Sequence, residues 1–132
     1  MPRISWPLLH RRPIVEVILS PTTGGQPWVR RLIADTGAGT GRAGFELLAR
    51  ENDCLLCGGL PSHPVALGGA YGGTFPVYVV RVEIPALGFD RHLRIVGVPT
   101  CPPGFDGIAG FRFLNYFSYG NFGDPSRFGL ET

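Results

Sequence analysis

Long apolar runs are missing from this chain. No stretch approaches the roughly 18 residues that cross a bilayer as a helix, so no membrane partner is expected. Charge is scarce as well. Only 17% of residues are Asp, Glu, Lys or Arg, and the formal net charge is +2. Nucleic-acid binding needs a basic patch or stripe, and no run of basic residues supplies one. Cysteine is limited to Cys54, Cys57 and Cys101. That odd number argues against a disulfide framework and fits a reducing compartment. The opening MPRISWPLLHRRP lacks the charged-then-apolar order of a secretory leader, so a soluble, cytoplasmic protein is expected. Repeats, linkers and low-complexity blocks are also missing. The 132 residues fit one domain, 1–132, in which 1–12 form an N-terminal arm with a small basic cluster at His10, Arg11 and Arg12.

What the chain has in quantity is glycine and proline, 20 and 13 residues spread without a period. Such a composition suits many turns joining short strands. PIVEVIL, residues 13–19, reads as a strand. SPTTGGQP is a turn, and WVRRLIADT is the strand's hairpin partner. GFELLAREN, residues 44–52, reads as one or two helical turns with Phe45, Leu48 and Ala49 on one side, and CLLCGGLPSHP reads as loop. VALGGAYGGTFPVYVVRVEIP holds a strand, a glycine-rich tip and a return strand. In the return strand Val80, Val82 and Ile84 face one way and Arg81 and Glu83 the other. RHLRIVGVP is a further strand. Residues 105–118 run from a turn into a short helix starting near Gly110, and RFGLE is a final edge strand. The fold class is mostly β with one or two short helices.

One acid stands out. In LIADTGAGT, apolar Leu32, Ile33 and Ala34 lead directly into Asp35, and Thr36 and Gly37 follow. Asp-Thr-Gly by itself is ordinary turn chemistry. Its surroundings carry more. LIADTGA resembles the active-site signature of aspartic proteases. About 70 residues on, DGIAG followed by FRFLNYF is similar to that family's apolar-apolar-Gly motif leading into a helix, and LGGAYGGTF lies between the two. The order of these parts resembles the single-lobed, retroviral-type (retropepsin-like) aspartic proteases over roughly residues 14–130.

The resemblance implies a closed, barrel-like acid protease lobe with a flap hairpin, assembled as a two-fold homodimer. It implies a homodimeric aspartic endopeptidase acting on extended polypeptides with no metal or other cofactor. Asp35, Thr36 and Gly37 are the implied catalytic residues. Ala38, Gly39, Gly69, Ala70, Tyr71, Gly72 and Ile108 are the implied substrate-binding residues, with Leu32 and Val98 as further apolar walls. The chemistry needs two carboxylates sharing one proton, one as base on a water and the other as donor to the carbonyl oxygen. Two like charges about 3 Å apart repel by roughly 5 kcal/mol at an effective dielectric of about 20. Asp53, Asp90, Asp106 and Asp124 lack a following Thr-Gly or Ser-Gly, so the second acid must come from a symmetric copy. The family joins its subunits through interleaved chain ends. RFGLE and the apolar Ile4, Trp6, Leu8 and Leu9 are the counterparts here, unless the N-terminal residues fray.

Three features depart from that family. Gly39 stands where retroviral members carry Asp, Phe111 and Arg112 follow the apolar-apolar-Gly motif, and the hairpin lacks the usual isoleucines. A non-catalytic dimerisation or peptide-binding module with the same fold is the alternative. Cys54 and Cys57 invite a zinc reading with His63 and either His92 or Cys101, but structural zinc wants a second well-spaced pair. A phosphate cradle in GGAYGG would need a following helix, and a strand follows.

Overall fold

The computed structural model describes residues 1–69 and 71–132. Six strands close into a barrel: β2 (Ile14–Leu19), β3 (Trp28–Ala34), β9 (Gly107–Ala109), β4 (Leu47–Arg50), β8 (Phe89–Val98) and β7 (Val77–Ile84), in that order around it. The chain is thus mostly β with a barrel-like lobe, as expected. β2 and β3 pair antiparallel from Ile14↔Ile33 to Leu19↔Trp28. β7 alternates as its sequence demands, with Val80, Val82 and Ile84 buried and Arg81 outside. Arg81 pairs there with Asp90 at 2.8 Å.

Two corrections concern the middle of the chain. Leu47–Arg50 is strand, not helix, and the helix α1 (Glu51–Leu56) starts later, taking in Cys54 and two leucines expected in a loop. An apolar run this short cannot be assigned by periodicity. Its state is decided by a slot between β8, which it meets in parallel, and β9, which it meets antiparallel. β9 itself was read as part of a turn. It is only three residues long and is held on both edges.

The chain ends are corrected too. Residues 3–7 are not a free arm: β1 (Arg3–Pro7) pairs with β11 (Arg127–Glu131) within the same chain, and β10 (Ser118–Gly120) takes β11's other side. β11 is therefore the central strand of a three-stranded sheet, not an edge. Ile4, Trp6, Phe128 and Leu130 pack this sheet onto the barrel. A hairpin of β5 (Val65–Leu67) and β6 (Gly73–Phe75) stands apart from both sheets, and α2 (Phe111–Leu114) follows β9. Among the described residues no helix is long and apolar enough to cross a membrane.

Candidate active site

Asp35 stands one residue beyond β3. Its backbone N–H donates to the Ala109 carbonyl at 2.9 Å, adding a rung to the parallel β3–β9 ladder. The chain then turns sharply, with Ala38 N–H donating to the Asp35 carbonyl at 3.1 Å. Inside that turn the Gly37 N–H donates to Asp35 Oδ1 at 2.8 Å, orienting the carboxylate. The far side of the loop is tied down as well. Phe111 N–H, opening α2, donates to the Ala38 carbonyl at 2.9 Å. Gly110 allows this approach, because a Cβ there would stand 2.7 Å from the Ala38 oxygen.

Gly39, the departure noted above, has a local reason. Its φ is +82°, a left-handed conformation that strains any residue with a side chain. Among the described residues Arg112 makes no ion pair. Its guanidinium donates to the Ala43 carbonyl at 2.6 Å, bracing the loop's exit from α2. Asp106, of DGIAG, is a clamp. It accepts from the Arg31 N–H at 2.9 Å and from the Arg50 guanidinium at 3.2 Å, locking β3, β4 and β9 together beneath the acid.

Asp35, Gly37, Ala38 and Gly39 form one side of a cleft of about 450 Å³. Gly69 and Tyr71 from the β5–β6 turn line it too, as does Ile108. Those expected residues are therefore brought together. Thr36 is exposed outside this cleft, Gly72 lies beyond its lining, and Ala70 falls outside the described residues. Leu32 and Val98 are corrected: both are buried in the apolar interior and do not face the cleft. Phe45, Leu48, Leu67 and Gly68 take their place. Gly68 opens the GGAYGG run already singled out. Phe45 and Leu48 were obscured by the helical reading of their segment.

A second hollow of about 460 Å³ continues past Tyr71 and Ile108. Phe75, Pro99, Cys101 and Pro102 line it. Tyr71 meets Phe75 edge-on, with ring centroids 6.2 Å apart. The Cys101 thiol donates to the Asp106 carbonyl at 3.4 Å. Burial pushes its pKa up to about 11, and burial likewise raises the Tyr71 phenol. The Cys101 and Tyr71 side chains are thus uncharged near neutrality, and among the described residues Asp35 is the one carboxylate lining either hollow. Among the described residues no three His, Cys, Asp or Glu side chains gather into a metal-sized cluster. Cys54, Cys57 and Cys101 are free thiols.

No family model, curated protein or solved structure matches this chain.

Proposed function

We propose that this chain is one half of a homodimeric aspartic endopeptidase of the retropepsin-like type, hydrolysing peptide bonds in extended polypeptides in the cytoplasm. The observation that carries the reading is the setting of Asp35. It is a carboxylate at a strand end, bonded through its backbone to β9, in a loop whose Ala38 is bonded to α2, and it lines an apolar cleft. In the dimer two Asp35 carboxylates meet, one per subunit. One takes a proton from the attacking water while the other donates to the scissile carbonyl oxygen. The exposed Thr36 hydroxyl braces one acid loop against its twin. The β5–β6 hairpin acts as the flap, and its glycine-rich turn admits the peptide and then excludes water. The peptide lies extended along the hairpin, its backbone pairing by strand addition and its apolar side chains filling the two hollows.

The test is cleavage of an unfolded protein between about pH 4 and 7, read by mass spectrometry. Asp35→Asn is expected to lower the rate about a thousand-fold or more while leaving the dimer and its peptide affinity intact. Statine-type peptides, whose hydroxyl imitates the tetrahedral intermediate, are expected to bind and inhibit. A confirmed dimer that neither cleaves nor binds them sinks the reading. Peptide binding without cleavage, indifferent to Asp35→Asn, identifies a binding module instead.

A further inference from the structure

The sheet of chain ends has two edges, and they are built differently. The β1 edge carries Arg3 at one end and Pro7 at the other, and it packs over β2 and the Pro85–Leu87 turn. Charges and proline are what protect a strand edge from further pairing. The β10 edge, Ser-Tyr-Gly, has neither. It lies in a longer stretch, Phe113 to Gly123, that contains no charged residue and no histidine.

That stretch also concentrates exposed aromatic surface. Among the described residues, the aromatic side chains standing furthest into solvent are Tyr119, Tyr116 and Phe122, at 41%, 40% and 36% exposure. They flank the edge from different sides. Tyr119 pairs with Leu130 in the β10–β11 ladder and tilts against Phe128. Phe122 lies on the other face, over Gly129. Arg91 caps the Tyr116 ring at 5.0 Å and Arg3 caps Phe122 at 4.1 Å, so the middle tyrosine is the one without a cation over its ring. A neutral aromatic centre with a charged rim is the anatomy of a protein interface.

We propose that β10 is the seam at which a second copy of this chain docks, antiparallel, across a two-fold axis beside Tyr119. This rests on the reading of Asp35 as half of a catalytic pair, since only a copy supplies the missing acid. Neutrality favours a copy on its own account. A two-fold axis sets the residue beside it against its own twin, so a charge at position 119 would meet its own sign. The seam is also joined directly to the acid loop. Phe111, bonded to Ala38, starts α2, and the chain reaches Ser118 within seven residues. Exchange of chain ends is unnecessary, because β1 and β11 already pair within the protomer.

The test uses two opposite charges at one position. Sedimentation equilibrium of the full chain is expected to show a dimer. Tyr119→Asp and Tyr119→Arg are each expected to weaken self-association about 30-fold or more, and mixing them is expected to restore a dimer. Both variants lose the same aromatic contact, so recovery on mixing reports charge pairing across the axis and not folding. Far-UV circular dichroism of each variant checks the fold. A wild-type chain that stays monomeric at every concentration overturns the seam. A dimer unmoved by either variant does so too, as does a mixture that fails to reassociate. Recovery of the dimer with no cleavage by the wild type leaves the seam standing and removes the peptidase reading.

Discussion

Among the described residues there are two apolar clusters, and they are closed to different degrees. The larger fills the barrel and the space under the sheet of chain ends. Its Val15, Val17, Val82, Phe113 and Leu130 have lost all contact with solvent. Phe89, Phe113 and Phe117 meet there with centroids 5.2 to 5.7 Å apart. The smaller cluster is buried only at its base, by Phe45, Leu48, Val77, Val96 and Val98. Its outer layer, including Leu67, Tyr71 and Phe75, belongs to a hairpin of two three-residue strands and stays partly exposed. The first cluster holds the strands beneath Asp35 in place. The second leaves apolar surface unmatched, which is what a ligand-binding wall requires.

The largest expected effect is in the closed cluster. Phe113→Ala should lower stability by about 3–5 kcal/mol, read as a shift of the urea midpoint. An intermediate effect separates two thiols. Burial raises Cys54, in the closed cluster, to about 12, and Cys101, in the open one, to about 11. Above about pH 9 the unfolded chain's thiols ionise while the folded ones keep their protons, so the folded state loses ground as pH rises. Stability should decline from about pH 9, with the Cys101 share spent near pH 11 and the Cys54 share continuing toward pH 12. Urea midpoints of Cys54→Ala and Cys101→Ala across that range should each flatten their own part of the decline. The smallest effect on stability is expected from Phe75→Ala, about 1 kcal/mol or less for a half-buried ring, together with weaker binding of apolar peptides. If Phe75→Ala costs as much stability as Phe113→Ala, the distinction between the clusters fails.

These two regions were also unequally legible. β7 was readable because alternation with period two is written in neighbouring residues, as in Val80, Val82 and Ile84, and β2 because β-branched residues cluster there. The acid loop was readable because Asp-Thr-Gly is a contiguous pattern that shapes its own turn. Leu47–Arg50 and Gly107–Ala109 were not, since strands this short and apolar carry no period. With the first misread, Phe45 and Leu48 were lost as cleft walls; Leu32, expected on that wall, lies in the interior.

Sequence alone settled a mostly β chain, the alternating β7 strand and one carboxylate in a tight, glycine-bearing turn, all properties of residues within a few positions of each other. Only the tertiary structure decided which strand lies beside which. It placed Arg3–Pro7 against Arg127–Glu131, slotted β9 between β3 and β4, and brought Gly69 and Tyr71 to the cleft that Asp35 lines. Those pairings join residues far apart in the chain. They are selected by burial and by backbone hydrogen bonds that close only when the whole barrel does, so no local pattern records them.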